Sequence, residues 1–330
     1  MAEARAAALG SAAPLAYDIV SGALVRWSLE RPEGPHPPTA VLVHGIMGMG
    51  RNWKTFANDL AQANPSWQFI LVDLPCHGAS AGLPPPRGGG SGRTVRSSAQ
   101  SVLHLLGHLR LMPRVLIGHS FGGKVVLSML ELASKPLPPV RAWVLDVTPS
   151  ISPPLSAQQG VGEGGGGADR PADLLDALLK FPTPAQDRRD LVQYLVSLRF
   201  SAAVANWAAS NLTRDTSGAY VWLFDLQGIR ELFEDYCSAD MWHIVDDVPD
   251  NAQINFVRAG RSIHRWAGST ADRISSARSR ALSEGRSGSV NLFELPGAGH
   301  WVQTDDPAGL QSLLQPSFEI GGRVGTRPYG

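Results

Sequence analysis

The segment Val115-Leu-Ile-Gly-His-Ser-Phe-Gly-Gly123 constrains this chain more than any other stretch of its sequence. An apolar run ends at Gly118, and Val125, Val126, Met129 and Leu130 then follow at helical spacing. The chain must pass from strand to helix within about one residue, and Ser120 sits at the reversal. Such a turn forces its central residue into strained backbone geometry, and only glycines at Gly118 and Gly122 leave room for the crowded approach. The Ser120 hydroxyl is thereby left exposed above the end of a strand, at a helix N-terminus, where a nucleophile is best presented.

A strand feeding straight into a helix implies strands covered on both faces. Apolar runs at 40–43, 69–72, 115–117 and 142–145 fit that description, with two more at 254–257 and 290–295. Between them Val102, Leu105, Leu106 and Leu109 share one helix face, after a possible cap at Thr94. Alternating strand and helix predicts an α/β domain with a mostly parallel sheet flanked by helices. The segment from Ser150 to Pro249 breaks the alternation, because about a hundred residues is far more than the dozen or so that a crossover needs. Its apolar stretches at 174–179 and 191–198, and its Trp207, Trp222 and Trp242, read as a helical cap inserted over the sheet edge. The expected organisation is therefore a core over 17–149, a cap over 150–250, a second core part over 251–316 and a flexible tail over 317–330. The runs PPPRGGGSGR at 84–93 and QGVGEGGGGADR at 159–170 bury too little to order themselves and read as loops. Deleting 160–167 is expected to leave stability and activity nearly unchanged.

Two further segments carry chemistry. Val41-Leu-Val-His44-Gly45-Ile46-Met47-Gly48 is a strand ending in a glycine-containing loop, which can offer the backbone N–H of Ile46, with that of Phe121, to a developing oxyanion. His44, fixed at a turn by its neighbouring glycine, reads as structural. Gly297-Ala-Gly-His300-Trp301 follows the last strand run and makes His300 the candidate general base; His119, His243 and His264 lack comparable context. A His base must be neutral, so activity is expected to fall below a pH of roughly 6–7.

Composition narrows the partner. Lys plus Arg and Asp plus Glu are equal at 29 each, so no global field draws the chain to nucleic acid or to an acidic membrane. No apolar run reaches the length of about 18 residues that a membrane span requires, and the N-terminus lacks a secretory apolar core. Cys76 and Cys237 form no Cys-x-x-Cys motif or zinc spacing and read as free thiols, which places the chain in the cytoplasm or in a reducing organelle lumen.

Taken together, His44-Gly45, Asp73-Leu-Pro-Cys-His77-Gly78-Ala-Ser80, Gly118-His-Ser-Phe-Gly-Gly-Lys124 and Gly299-His300-Trp301 resemble the α/β-hydrolase superfamily over about residues 17–315. Lys124 directly after the elbow, with Tyr220-Val-Trp-Leu-Phe-Asp225-Leu in the cap, is similar to the branch around alpha/beta hydrolase domain-containing protein 11 and its bacterial esterase relatives. The resemblance implies the α/β-hydrolase fold with a helical cap. It also implies hydrolysis of an ester or thioester of a small or acyl-chain molecule by a Ser-His-Asp triad, with no cofactor or metal.

The chain departs from the pattern at the acid. Many relatives carry an Asp in a Gly-x-x-Asp turn after the penultimate strand, and here that turn reads Gly260-Arg261-Ser262. Asp146, which ends the strand run after the nucleophile's, and Asp225 in the cap are the two substitutes. Asp146 is preferred, because a strand end holds a carboxylate at the rim better than a mobile cap does. The substrate stays open, as do two rival functions on the same scaffold: a small-molecule receptor and a carbon–carbon bond hydrolase. Epoxide hydrolysis and dehalogenation are disfavoured, since those reactions use Asp where Ser120 stands. The sequence sets no oligomeric state.

Overall fold

The computed structural model describes residues 14–25, 36–84, 92–133, 138–152, 169–262, 266 and 268–319. His264, the tail beyond Glu319, residues 85–91 of the 84–93 run and most of the 159–170 run lie outside them.

Seven strands form one sheet in the order β1-β3-β2-β4-β5-β8-β9. They are β1 (Tyr17–Ser21), β2 (Thr39–Val43), β3 (Gln68–Val72), β4 (Val115–His119), β5 (Val140–Leu145), β8 (Ala252–Ala259) and β9 (Ser289–Leu295). Only β1 runs antiparallel, pairing with β3. Every residue of β2, β3 and β4 is buried, as expected of strands with both faces covered. Successive side chains divide between the two faces: Val41 and Val43 pack into one apolar cluster, Ala40 and Leu42 into the other. Helices α2 (Val95–Leu109) and α3 (Phe121–Leu132) cover the first face, through Val102, Leu105, Val125 and Val126. Helices α1 (Lys54–Ala63) and α11 (Pro307–Leu314) cover the second, through Phe56, Leu60, Leu310 and Leu314. Helix α2 begins where the sequence marks a cap: the Thr94 hydroxyl accepts the Ser97 N–H at 2.9 Å, and the Ser97 hydroxyl accepts the Thr94 N–H at 2.9 Å.

The strand order reverses beside β2. The chain leaves β2 for β3 on one side, then crosses back to β4 on the other, so the carboxyl ends of β2 and β4 are neighbours. Open parallel sheets hold their ligands at this kind of reversal.

Between β5 and β8 the described residues form α4 (Pro171–Lys180), α5 (Arg188–Ser197), α6 (Ala202–Ala209), the small hairpin β6 (Leu212–Arg214) and β7 (Tyr220–Trp222), α7 (Leu226–Ser238) and α8 (Trp242–Asp246). Polar contacts fasten this insertion to the core, those of Lys124 and Arg93 among them. Lys124 on α3 has no solvent exposure, and its ammonium donates to the carbonyls of Ser150 (2.8 Å), Tyr236 (3.0 Å) and Ala239 (2.8 Å). Arg93 pairs with Asp225 at 2.8 Å and with Glu231 at 3.2 Å. The described ends of the two glycine runs are therefore anchored rather than free: Arg93 is held by those carboxylates, and the Asp169 carboxylate accepts the Ser201 N–H at 2.8 Å. Helix α9 (Gly268–Ser283) precedes β9, and the short α10 (Val302–Asp305) follows it, ahead of α11.

Candidate active site

Ser120 stands between β4 and α3 with φ +53° and ψ −118°, a left-handed conformation unusual for a residue with a side chain. The glycines around it explain how the turn closes. A Cβ on Gly122 would lie 2.5 Å from the Val43 carbonyl oxygen and 2.6 Å from that of His44; one on Gly118 would lie 2.2 Å from the Gly122 oxygen. The turn is locked to the sheet, since the Ser120 N–H donates to the Leu145 carbonyl at 2.9 Å.

Parallel register carries the next residue in. His119 pairs with Leu145, and Leu145 with Val257, so Ser120 and Asp146 leave the sheet side by side. Asp146 is also left-handed, at φ +49°, and its N–H donates to the Val257 carbonyl at 2.8 Å. Its buried carboxylate accepts three hydrogen bonds. Oδ1 takes the Ala259 N–H at 3.1 Å; Oδ2 takes His300 Nδ1–H at 2.7 Å and the Ser262 hydroxyl at 2.5 Å. Ser262, in the turn after β8 where the resemblance expects the acid, thus donates to the carboxylate that reaches the same imidazole from the neighbouring strand.

His300 follows β9. Its carbonyl accepts His119 Nε2–H at 2.7 Å, and the two rings lie 4.6 Å apart. His119 was set aside at the level of sequence for want of context. Its contribution is a contact across 181 residues of chain, and no local pattern announces it. Burial pushes the His300 pKa down to about 4, well below the usual imidazole value of about 6.5. Since the Nδ1 face is occupied by Asp146, Nε2 is the nitrogen left for a reaction partner.

Asp225 is used elsewhere. Its Oδ1 caps α7 by accepting the Gly228 N–H at 3.0 Å, and its Oδ2 pairs with Arg93. The geometry thus brings Ser120, His300 and Asp146 together and leaves Asp225 in the joint between insertion and core.

The β2–α1 loop lies beside Ser120. The Gly48 N–H donates to the Gly45 carbonyl at 3.0 Å, closing a turn with Ile46 and Met47 at its centre. Neither the Ile46 N–H nor the Phe121 N–H is donated to another acceptor among the described residues. His44 has the structural place expected of it: Nδ1–H donates to the Gly45 carbonyl at 2.8 Å and Nε2 accepts the Leu74 N–H at 3.0 Å. Tyr236 on α7 is a further neighbour that the sequence did not single out. Burial pushes its phenol up to about 12, while hydrogen bonding to the Ser120 and Ser152 side chains pulls the other way.

A cavity of about 570 Å³ opens over these groups, within the range of small-molecule sites. Ser120, His300 and Ile46 line its floor, and Leu174, Val204 and Trp207 of the insertion line its roof. Trp207 packs against Trp301, with ring centroids 5.8 Å apart. Cys76 and Cys237 are free and buried. Among the described residues no group of three or more His, Cys, Asp or Glu side chains is arranged to hold a metal, and no helix is long and apolar enough to cross a membrane.

The sequence model of the Alpha/beta hydrolase family matches residues 40–310. The chain is 23% identical over 306 residues to a Danio rerio protein named sn-1-specific diacylglycerol lipase ABHD11, covering 92% of this chain and 83% of that one. The protein of the same name from Mus musculus is 24% identical over 301 residues, covering 91% and 84%. Among solved structures, a marine microorganism esterase superposes with a TM-score of 0.64 at 18% identity, covering 92% of this chain and 98% of that one.

Proposed function

We propose that this chain, which belongs to the alpha/beta hydrolase family, is a serine hydrolase that cleaves carboxylic ester or thioester bonds of a small or acyl-chain substrate through an acyl-enzyme. Ser120 attacks the acyl carbon while His300 Nε2 takes its proton. Asp146, which accepts Nδ1–H at 2.7 Å, holds the neutral imidazole in the right tautomer and stabilises the imidazolium that forms. The N–H groups of Ile46 and Phe121 receive the oxyanion, and such donors are worth roughly 3–4 kcal/mol each in a transition state. His300 then returns its proton to the leaving alcohol or thiol. Water activated by the same Nε2 attacks the acyl-enzyme, and Ser120 is restored.

The observation that carries this reading is the part-buried hydrogen bond from His300 to Asp146, next to a nucleophile-bearing turn that opens on a cavity. The apolar roof of Leu174, Val204 and Trp207 favours an acyl chain or a comparably apolar group. Two vertebrate relatives are named diacylglycerol lipases, which makes acylglycerols the first physiological esters to assay. The test is labelling with a fluorophosphonate, followed by a panel of p-nitrophenyl esters of increasing chain length. The chain should label at Ser120 and turn over esters, and Ser120→Ala should do neither. Equal labelling of the Ala variant overturns the nucleophile. Rapid labelling with tight retention and negligible turnover of every ester would instead favour a ligand receptor on this scaffold.

A further inference from the structure

The sequence 73–80, Asp-Leu-Pro-Cys-His-Gly-Ala-Ser, marks the family but has no place in the mechanism above. It forms the loop after β3, and three hydrogen bonds tie it to the loop after β2. The Gly50 N–H donates to Asp73 Oδ1 at 2.7 Å, the Leu74 N–H donates to His44 Nε2 at 3.0 Å, and the Met47 N–H donates to His77 Nε2 at 3.0 Å. The third differs from the others in what it holds. Met47 has φ +58°, the left-handed region, next to Ile46 in the turn closed by Gly45 and Gly48. A side-chain-bearing residue keeps such a conformation only where its surroundings over-determine it. If Met47 relaxes, the peptide joining it to Ile46 turns over, and the Gly45–Ile46 peptide that carries the Ile46 N–H loses the turn that fixes its direction.

We propose that His77 is a positioning residue of the hydrolase: by accepting the Met47 N–H it fixes the left-handed Met47 and thereby aims the Ile46 N–H at the oxyanion. The chemistry requires a particular imidazole. Nε2 must be the unprotonated nitrogen, and His77 Nδ1–H is committed to the Pro75 carbonyl at 2.8 Å, which selects that tautomer. The ring is fully buried, 4.9 Å from the His44 ring and 5.5 Å from Phe224. Burial, with the neighbouring His44, pushes its pKa well below the usual value. The inserted segment touches this support directly, because His77 bridges Phe224 and the Asp225 N–H donates to the Cys76 carbonyl at 2.9 Å.

This inference rests on the serine-hydrolase reading, and the experiment separates the two. Wild-type enzyme is first labelled at Ser120 by a fluorophosphonate; absence of labelling overturns both. His77→Phe, His77→Gln and His77→Asn are then compared, each with a melting curve. Gln places an amide oxygen near the position of Nε2, whereas Asn is too short to reach Met47. The readouts are kcat and KM for a p-nitrophenyl ester, and the inhibition constant of an alkyl trifluoromethyl ketone, whose adduct places an oxyanion where the transition state does. His77→Phe should lower kcat by about tenfold or more, short of the ~10²–10³ that outright loss of a donor costs. KM should stay within about twofold, the ketone should weaken in step with kcat, and His77→Gln should recover most of both. If the Phe variant does not fold, the comparison of Gln with Asn decides, with Gln active and Asn impaired. Equal activity of Gln and Asn overturns the proposal. So does a folded His77→Phe with unchanged kcat, or a loss carried by KM while the ketone binds as before.

Discussion

Replacing Asp146 by Asn tests the acid most directly, because the surroundings of this carboxylate leave an amide no good solution. Asp146 offers oxygen in both directions: Oδ1 to the Ala259 N–H, and Oδ2 to His300 and Ser262. An amide has one oxygen and one NH₂. If its oxygen keeps the Ala259 N–H, the NH₂ faces His300 and selects the tautomer with hydrogen on Nε2, which cannot accept the Ser120 proton. If its oxygen faces His300, the NH₂ meets the Ala259 N–H, and two buried donors are left opposed at a cost of about 1–3 kcal/mol. The first arrangement costs less to fold and more to react. The wrong tautomer costs about 10⁴ in kcat in a well-studied triad, or about 5.4 kcal/mol of transition-state stabilisation at 1.36 kcal/mol per tenfold. Asp225→Asn supplies the control. An Asn can still cap α7, and the pair it loses with Arg93 is about 29% exposed, so the change should cost no more than about 1 kcal/mol of stability. The assay is kcat/KM on a p-nitrophenyl ester, with melting curves for both variants. A crippled Asp225→Asn beside a nearly normal Asp146→Asn would refute the assignment and move the acid into the insertion.

How much of this was legible in the sequence depends on how local each cause is. The turn at Ser120 was readable because its constraints are local: Gly118 and Gly122 are bare for steric reasons that any sequence meeting them must obey. The strands were readable because burial on both faces leaves uninterrupted apolar runs, whose ends moved by one or two residues. Asp146 could be preferred from topology alone, since it ends the strand beside the nucleophile's. Its bond to Ser262, however, needs the β8 loop folded back against β5, and a serine in place of an acid gives no sign of where its hydroxyl will point. His119 and His77 were invisible as participants for the same reason: each acts on a backbone group far away in sequence, which periodicity does not encode. The acid limb expected near pH 6–7 takes a free imidazole as its reference, and desolvation of His300 acts to lower it from there.

The pH profile of kcat/KM should therefore keep its plateau through pH 6 and lose activity only as pH falls toward the lowered value of about 4, because the base works in its neutral form; a midpoint at or above 6.5 would contradict burial as the dominant cause. Stability should decline on the same side. His44, His77 and His300 are all shifted down, so below the usual imidazole value the unfolded chain binds more protons than the folded one, and melting curves at each pH separate this loss from catalysis. Finally, Lys124→Met should destabilise the fold without touching the reacting groups. Lys124 is fully enclosed and, among the described residues, meets no carboxylate at bonding distance, only the carbonyls of Ser150, Tyr236 and Ala239, and burial pushes its pKa down to about 8. Methionine fills much of the same volume, so little of the loss comes from a cavity. What it removes is the donor set, leaving three carbonyls where α3 meets the insertion to seek water or move apart, each at about 1–3 kcal/mol if they remain buried. A net cost of roughly 3–5 kcal/mol would lower the melting temperature by on the order of 10 °C in a chain of this size. Lys124→Arg should not rescue it, because a planar guanidinium with five donors cannot replace three convergent N–H bonds in an enclosed site. A Met variant that melts within a degree or two of the parent would show that these carbonyls find other partners, and that the insertion is held to the core without the Lys124 donors.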